Sequence, residues 1–266
     1  RDLLAEGCAA RAAVADVPVA ALLSGGVDSA AIVAMLAPLV PDLHCYVAVH
    51  DPKSLDLRRA RETAEFVGVP LIEVPVAAPT ADDLAATVRA IEMPHKAQVE
   101  IAWACLALAD RLHADGVRVV YTGEGSDELW ASYGSSFHGV RQHGWYRYRH
   151  DLFYGQHRKN FPRCNKVFMR RSVEARLPFL HPPLVRYALR LPERAVLGPN
   201  GAGQLKVPKW SLRSGVRGLV PDSVVQRPKL AFQDGAGLKD AAAAAVRDPR
   251  RFYAAEFDAA FSGVRA

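Results

Sequence analysis

The stretch LLSGGVDSA (residues 22–30) places two glycines, two serines and an aspartate directly after a short apolar run. That run, VAALL (19–23), is typical of a buried strand, and residues 29–36 are predicted to be helical. Glycines between a strand and a helix leave backbone N–H groups accessible, and the helix N-terminus adds a partial positive charge. Residues 24–29 therefore predict a cradle for phosphate oxygens at the carboxyl end of the strand.

Asp28 does not fit a simple phosphate cradle, because a carboxylate repels the negative charge of phosphate oxygens. A cation between the carboxylate and the phosphates removes this conflict. Mg²⁺ is a hard ion that carboxylate and phosphate oxygens bind together. The segment matches neither the GxxxxGK[ST] loop nor the GxGxxG loop. We therefore predict a different kind of phosphate loop, with Mg²⁺ held in part by Asp28.

Strands and helices alternate along the first 130 residues. Apolar runs typical of strands occupy residues 43–49, 70–76 and 117–122. Helical patterns occupy residues 54–69, where Ser54 is the expected N-cap, and residues 98–114. Continuous apolar strands separated by helices are typical of a parallel sheet. We therefore predict an α/β fold with helices on both faces of a parallel sheet.

The pattern changes after Trp130. Residues 131–266 combine helical stretches with turn prolines, include an Ala-rich helix near Ala241, and contain no further clear strand. We expect one domain over residues 1–266, made of an α/β core (1–134) and a mostly helical lobe (135–266).

The stretch RQHGWYRYRHDLFYGQHRKNFPR (141–163) is the most basic part of a chain whose formal net charge is +6. Interleaved aromatic and basic residues can bind nucleic acid by stacking and phosphate contact. The alternative, which we favour, is a helical lobe with solvated arginines and partly buried aromatic side chains. A basic face that attracts a polyphosphate nucleotide is compatible with both interpretations.

Residue usage argues against several kinds of site and location. The four cysteines are far apart and form no CxxC pair, and the nine histidines show no HExxH spacing, so neither a zinc site nor a disulfide framework is expected. No window approaches eighteen consecutive apolar residues, so no membrane span is expected. A reducing cytoplasm is the simplest setting. The first residues, RDLLAEGCAARAAV, predict an amphipathic helix and no targeting peptide. They lack an initiator methionine, which leaves open that further residues precede them.

A second motif, YTGEGSDELWASYG (121–134), follows the fourth predicted strand and so faces the same end of the sheet. The SGGVDS segment resembles the PP-loop of the ATP pyrophosphatases, and TGEGSDE resembles the SGEGSDE signature of asparagine synthetases, with Thr122 in place of serine. NKVFMRRSVEARLPFLH (165–181) and KWSLRSGVRGLVPDSVVQRPKLAFQDGAG (209–237) resemble two further segments, in the family's order. From about residue 14 to 237 the chain is therefore similar to the synthetase domain of that family.

The resemblance implies a PP-loop fold of the adenine nucleotide hydrolase type and an ATP-dependent ligase. Such an enzyme adenylates a carboxylate, aspartate or an acid like it, releases pyrophosphate, and transfers ammonia or another amine to the acyl-adenylate. Asp28 and Asp127 would hold Mg²⁺, and Leu23, Ala48, Thr122 and Gly123 would frame the adenosine. The residues that the resemblance places around ATP are Leu23, Ser24, Gly25, Gly26, Asp28, Ser29, Ala48, Thr122 and Gly123.

Three residues have implied catalytic roles. Lys209 and Lys229 would place positive charge on the phosphates as the bond between the α and β phosphates breaks. Glu124 would lie beside the acyl-adenylate and position or deprotonate the incoming amine. Glu174 and Arg176, in contrast, are expected to form a structural ion pair.

The sequence does not determine the identity of the acid or of the nitrogen donor. Residues 93–103 (MPHKAQVEIAW) differ from the Thr/Arg-containing substrate segment of aspartate-using relatives, and His181 replaces their usual Asp. Glu124 occupies the position where β-lactam synthetase-like enzymes carry Tyr, so at this position the chain resembles the asparagine synthetases.

Nothing in the sequence resembles the N-terminal glutaminase domain of full-length family members. Free ammonia, another amine, a separate glutaminase partner or a domain outside this sequence would supply the nitrogen.

Two alternatives remain. One is a synthetase of specialised metabolism that makes an amide, hydrazide or macrolactam from a non-aspartate acid. The other, which we rank lower, is a tRNA-modifying PP-loop enzyme that contacts RNA through residues 141–163. Relatives of that kind usually carry Cys pairs or separate RNA-binding domains, and none is seen in this sequence. A non-catalytic scaffold ranks last, because Asp28, Asp127 and Lys229 are all present.

Overall fold

The computed structural model describes residues 1–14, 16–133, 136–200, 203–226 and 237–264. The strands of its central sheet are β1 (Val19–Leu22), β2 (His44–Val49), β3 (Leu71–Pro75), β4 (Val119–Tyr121) and β5 (Glu174–Arg176). These strands are all parallel, in the order β3-β2-β1-β4-β5. The strand order therefore reverses between β1 and β4. In a sheet of this kind ligands bind in the crevice beyond the carboxyl ends of the strands at that point.

Helices cover both faces of the sheet. In chain order they are α1 (Asp2–Ala12), α2 (Val27–Leu36), α3 (Leu55–Val67), α4 (Ala81–Ile91), α5 (Lys96–Ala114), α6 (Ser126–Leu129), α7 (Ser136–His143), α8 (Trp145–Tyr154), α9 (Asn160–Met169), α10 (Pro182–Arg190), α11 (Glu193–Val196), α12 (Trp210–Gly215), α13 (Asp222–Val225), α14 (Leu238–Ala245) and α15 (Pro249–Phe261). Short 3₁₀ helices lie at Gly155–Arg158, Pro178–Leu180 and Ser262–Val264, and a small antiparallel ribbon pairs β6 (Gly198–Pro199) with β7 (Leu205–Val207).

The alternation of side chains along the strands builds two separate apolar cores. Ala21 and Cys45 pack on one face with α1, α2 and α3. Ala20 and Tyr46 pack on the other face with α4, α5 and α9. Successive residues of a strand point to opposite faces, so strands buried on both sides read as continuous apolar runs. The prediction of a parallel α/β sheet covered on both faces is confirmed.

Local sequence signals explain where the first elements begin and end. Ser54 caps α3 as predicted, its Oγ accepting from the N–H of Leu57 at 3.3 Å. The same helix ends at Gly68, whose φ of +78° is a conformation that glycine adopts without strain. No helix within the described part of the chain is both long enough and apolar enough to span a lipid bilayer.

The expectation of no further strand after Trp130 is wrong. Glu174–Arg176 forms β5, which pairs in parallel with β4 at the edge of the sheet. This strand has three residues and two of them are charged, so it lacks the apolar run that marks a buried strand. Arg176 Nε donates to Glu174 Oε1 at 2.9 Å, which confirms the predicted ion pair but places it within the sheet.

The basic stretch 141–163 forms helices, but the expectation of solvated arginines is wrong for two of its members. Arg149 is 0% exposed and donates to the carbonyl oxygens of Leu129 and Leu191, at 3.1 and 3.0 Å. Burial lowers the pKa of Arg149 to about 10. Arg163 is 3% exposed. Backbone carbonyl oxygens accept hydrogen bonds from Arg149 and so allow its burial. These acceptors come from distant parts of the chain, so the local sequence does not reveal them.

Candidate active site

The loop between β1 and α2 is held in one shape by its own polar groups. Ser29 Oγ donates to the carbonyl oxygen of Gly26 and accepts from the N–H of Ser24, both at 3.1 Å. Gly25 has a φ of +72°, and a Cβ there would lie 2.2 Å from the backbone oxygen of Asp56. Both conformation and space therefore require glycine at this position. The predicted phosphate loop thus leads into the N-terminus of α2, where the first backbone N–H groups lack partners within the helix.

The loop after β4 approaches the first loop closely. A Cβ on Gly123 would lie 3.0 Å from the Cβ of Asp28, so a side chain there would crowd the first loop. Ser126 Oγ donates to Asp28 Oδ1 at 2.8 Å and links the two loops. The two motifs, far apart in sequence, therefore form one site at the point where the strand order reverses.

Lys209 joins the two aspartates that the sequence implies as metal ligands. Its side chain is 1% exposed, and its Nζ contacts Asp28 Oδ2 and lies 2.5 Å from Asp127 Oδ1. The residue has a φ of +61°, an uncommon conformation for a residue with a side chain. Asp28 and Asp127 therefore converge on one cation, which here is the lysine ammonium.

The same two carboxylates fit Mg²⁺ by chemistry. They are hard oxygen donors close enough to share one positive charge, and Mg²⁺ is bound by one or two carboxylates together with substrate phosphates. Within the described ranges, no group of three or more His, Cys, Asp or Glu side chains could hold a metal. A magnesium ion at Asp28 and Asp127 would therefore take its remaining ligands from phosphate oxygens or water.

A cavity of about 520 Å³ opens beside these loops. The predicted site residues in its wall are Leu23, Ser24, Asp28, Ser29, Ala48, Thr122, Gly123, Glu124 and Asp127. Of the other predicted residues, Gly25 and Gly26 shape the loop, and Lys209 contacts the two wall aspartates. Lys229 lies outside the described residues. The structure therefore gathers the described site residues around one cavity.

Glu124 is paired with an arginine that sequence reasoning did not assign to the site. Arg163 Nη2 donates to Glu124 Oε1, and the two side chains are 3% and 26% exposed. Burial by itself lowers the pKa of Arg163, but the charge of Glu124, the neighbouring Cys105 and Cys164 and the hydrogen bond to Glu124 together outweigh it, and the pKa lies above its usual value. The guanidinium therefore stays charged and holds the Glu124 carboxylate at the cavity wall.

A buried polar network lies next to this pair. Glu128 Oε1 accepts from Asn160 Nδ2 at 2.6 Å and from the hydroxyl of Tyr133. Asn160 Oδ1 accepts in turn from Gln98 Nε2 at 2.7 Å. Burial, together with the charges of Glu124 and Asp127, raises the pKa of Glu128 to about 7. All four network residues line the cavity and extend it beyond the phosphate loop.

Comparison with known proteins identifies the family. The asparagine synthase family matches the chain over residues 1–161 and 145–257, which together cover most of its length. The chain belongs to the asparagine synthase family. The resemblance drawn from the four motifs is thereby confirmed.

Curated relatives in this family are longer than the chain. Asparagine synthetase B [glutamine-hydrolyzing] of Escherichia coli K12 is 28% identical over 256 residues, covering 88% of this chain and 45% of the relative. Asparagine synthetase [glutamine-hydrolyzing] 1 of Arabidopsis thaliana is 27% identical over 255 residues, covering 88% and 43%. The chain therefore spans less than half the length of these two relatives.

One solved structure has a weaker likeness. The U34-tRNA thiolase NcsA of Methanococcus maripaludis matches 97% of this chain and 78% of its own, with a TM-score of 0.40 and 14% identity. A likeness at this level does not indicate a function for the chain.

The residues that sequence reasoning missed differ in how they could have been found. Glu128 lies with Glu124 and Asp127 in the family's GEGSDE motif, and its place in that motif is a usable signal. Gln98, Asn160 and Arg163 come from α5 and α9, and their side chains reach the cavity only because these helices pack together. No pattern within either segment indicates that contact.

Proposed function

We propose that the chain uses ATP to adenylate a carboxylic acid, aspartate or an acid like it, and then forms an amide from the acyl-adenylate and ammonia or another amine. One observation carries the proposal: Asp28 and Asp127 converge on a single cation in the wall of a cavity that also holds Glu124. Phosphate handling and acyl transfer are thus assigned to neighbouring parts of one cavity. Membership of the asparagine synthase family supports the same chemistry.

The ATP end of the cavity is assigned to the loops after β1 and β4. The backbone of residues 24–29 would hold the β and γ phosphates, which leave as pyrophosphate. Leu23 and Ala48, 0% and 7% exposed, would offer an apolar surface to the adenine, and the backbone of Thr122 and Gly123 would face the ribose side. Gly123 is suited to this role, because a residue without a side chain lets a ligand approach the backbone closely.

We assign the positively charged groups of the site to the bond between the α and β phosphates, which breaks during adenylation. Mg²⁺ bound at Asp28 and Asp127 would neutralise phosphate charge. Lys209 Nζ lies between these carboxylates in this structure, so Mg²⁺ binding there would displace the ammonium toward the phosphates. Lys229, from the same family segment (209–237), would supply a second ammonium. Fixed charges aimed at developing negative charge stabilise a transition state by on the order of a few kcal/mol each.

Amide formation is assigned to the region of Glu124. The amine nitrogen attacks the acyl carbon, and AMP leaves with the electron pair of the broken C–O bond. The nitrogen then loses a proton, which an adjacent carboxylate can accept. Glu124 is partly exposed in the wall and held by Arg163, so it can orient an amine and receive that proton.

The leading alternative keeps this chemistry and changes the acid. Gln98 comes from residues 93–103, the segment that departs from aspartate-using relatives, and it lies in the cavity wall. In the same segment, Lys96 is paired with the buried Glu100. The tRNA alternative receives less support, because Arg149 and Arg163 of the basic stretch are buried and cannot contact phosphates of RNA.

The nitrogen source is a separate part of the proposal. The names of the relatives describe glutamine hydrolysis, and the chain spans less than half their length. We propose that ammonia reaches this chain from a separate glutaminase partner or from a further domain. The isolated chain should then form product with ammonium chloride and form none with glutamine.

Product analysis tests the whole proposal. The purified chain is incubated with ATP, Mg²⁺ and ammonium, with or without aspartate, and pyrophosphate, AMP and amide are identified by mass spectrometry. Aspartate-dependent AMP together with asparagine is the expected result. ATP binding with no AMP from aspartate would transfer the proposal to other acids. Absence of ATP binding would refute it.

A further inference from the structure

The backbone of Lys209 adopts an unfavourable conformation directly before α12. Its φ and ψ are +61° and +31°, in the left-handed region. A residue with a Cβ keeps such a conformation only where the surrounding structure holds it there. The ion pairs with Asp28 and Asp127 contribute in this structure, but Mg²⁺ at the two carboxylates would displace the ammonium. Other contacts must therefore hold the lysine in the site.

A hydrogen bond joins α12 to the segment that carries Asp127. Trp130 directly follows α6, and its indole Nε1 donates to Ser211 Oγ at 2.9 Å. Ser211 belongs to α12 and lies two positions after Lys209. The indole ring is buried and packs edge-on against Phe179, with ring centroids 5.9 Å apart. Packing therefore fixes the donor, and the hydrogen bond fixes α12 relative to α6.

The turn that contains Lys209 is also held by α12 itself. The buried Arg213 donates from Nε to the carbonyl oxygen of Pro208 at 2.8 Å, and from Nη1 to the carbonyl oxygen of Val225. The ring of Trp210 covers Gly198 of β6, where a Cβ would lie 2.1 Å from the ring. These contacts make the turn and α12 one unit, and the bond from the indole attaches that unit to α6.

We propose that the Trp130–Ser211 hydrogen bond keeps the Lys209 backbone beside α6 when the lysine ammonium moves from the carboxylates to the phosphates. The ammonium then changes partners by rotation of its side chain, while the turn stays in place. The inference rests on the proposed function in assigning this ammonium to the phosphates of ATP. Neither Trp130 nor Ser211 is among the described residues of the cavity wall, so both are positioning residues that act through Lys209.

The alternative is that the bond only stabilises the fold, because a buried indole N–H needs an acceptor. The two accounts differ in what loss of the bond does to the folded protein. A bond that only stabilises the fold changes ligand binding by the same factor whether or not position 209 carries an ammonium. A bond that positions the ammonium changes binding only while the ammonium is present.

A double-mutant cycle with magnesium pyrophosphate, measured by isothermal titration calorimetry, separates these accounts without requiring turnover. Ser211→Ala removes the acceptor, Lys209→Met removes the ammonium, and a third protein carries both changes. We expect Ser211→Ala to weaken binding by roughly tenfold in the otherwise unmodified chain, the scale of one lost hydrogen bond to a charged group. In the Lys209→Met background we expect a loss of less than about twofold. Equal weakening in both backgrounds, or none in the first, would overturn the proposal.

Three further variants locate the effect in the hydrogen bond. Ser211→Thr keeps a hydroxyl acceptor and should bind magnesium pyrophosphate as the unmodified chain does. Trp130→Phe removes the donor and should weaken binding about as much as Ser211→Ala, with little further loss when the two are combined. Ser214→Ala, at an exposed position of the same helix, is the matched control. Circular dichroism and the melting temperature show that each variant is folded at the temperature of the titration. Weak binding by folded Ser211→Thr would contradict the role of the hydroxyl.

Failure here can be told apart from failure of the proposed function. AMP release by the unmodified chain is measured on the same preparation. A loss on Ser211→Ala that depends on Lys209, without AMP release from any acid, would refute the enzyme proposal and keep the positioning role. AMP release together with an equal effect of Ser211→Ala in both backgrounds would refute the positioning role and keep the enzyme proposal.

Discussion

The buried guanidinium of Arg163 is paired with the partly exposed carboxylate of Glu124. Arg163 belongs to α9, and Glu124 follows β4, so the pair connects a helix of the second half of the chain to the sheet. The two partners differ in their access to water, with 3% and 26% of the side chains exposed. Loss of one partner therefore has a different consequence from loss of the other.

Glu124→Ala should destabilise the protein more than Arg163→Met. The first change leaves a buried charge unpaired and should lower the free energy of unfolding by about 3–5 kcal/mol. The second leaves a carboxylate that water can reach and should cost less, about 1–3 kcal/mol. Urea unfolding followed by circular dichroism measures both, with the exposed Glu65→Ala as a control within about 0.5 kcal/mol. A larger loss for Arg163→Met would contradict this account of the pair.

Glu124→Gln should slow amide formation more than adenylation. The amide keeps an acceptor for Arg163 but loses the charge that orients an amine and accepts its proton. We expect AMP formation in a single turnover to change by less than about threefold, and amide formation to fall by roughly 100-fold, the usual scale of a general base. Rapid quenching with separate quantification of AMP and amide measures the two steps. Equal loss in both steps would refute the role of Glu124.

Asp28→Asn and Lys229→Ala should each abolish pyrophosphate release and leave the fold intact. Asparagine preserves the size of Asp28 and its bond with Ser126, but it removes one of the two charges that converge on a cation. Lys229 is included because it lies with Lys209 in the family segment 209–237. Asp42→Asn, at an exposed position, and Lys53→Ala, also exposed, are the matched controls. Near-normal pyrophosphate release in either site variant, measured by a coupled phosphate assay, would remove the proposed mechanism.

The convergence of Asp28 and Asp127 could be predicted from sequence for a physical reason. Both residues follow strands that are parallel neighbours, and parallel strands end at the same edge of a sheet. The position of Lys209 between them could not be predicted, since it depends on where a distant loop with a left-handed residue packs. The family resemblance indicated a lysine at the phosphates but not its pairing with both carboxylates.

The acid end of the cavity was less accessible to sequence reasoning. Gln98, Gln156 and Arg163 are single polar residues in helices whose local patterns equally describe solvated faces. Their burial results from the packing of α5 against α9, which is a tertiary property. The ATP end is built from loops adjacent in the sheet, and its residues therefore carry a local sequence signature.

Gly25→Ala should cost more stability than Gly68→Ala, although both glycines have a positive φ, +72° and +78°. A Cβ at Gly68 meets no atom within 4 Å among the described residues, so this change should cost only the backbone strain, about 1–2 kcal/mol. At Gly25 the new Cβ also meets the backbone oxygen of Asp56 at 2.2 Å, so the loop must shift. We expect a total cost of roughly 2–5 kcal/mol for Gly25→Ala.

Nucleotide binding separates the two glycine variants further. A shifted loop no longer presents the N–H groups of residues 24–29 to phosphate, so Gly25→Ala should weaken ATP binding by roughly tenfold or more, a loss comparable to one or two hydrogen bonds to a charged group. Gly68→Ala should bind ATP as the unmodified chain does, because Gly68 ends α3 and does not line the cavity. Urea unfolding and calorimetric titration with ATP measure the two effects. Equal ATP affinity in the two variants would mean that the conformation of Gly25 does not shape the phosphate site.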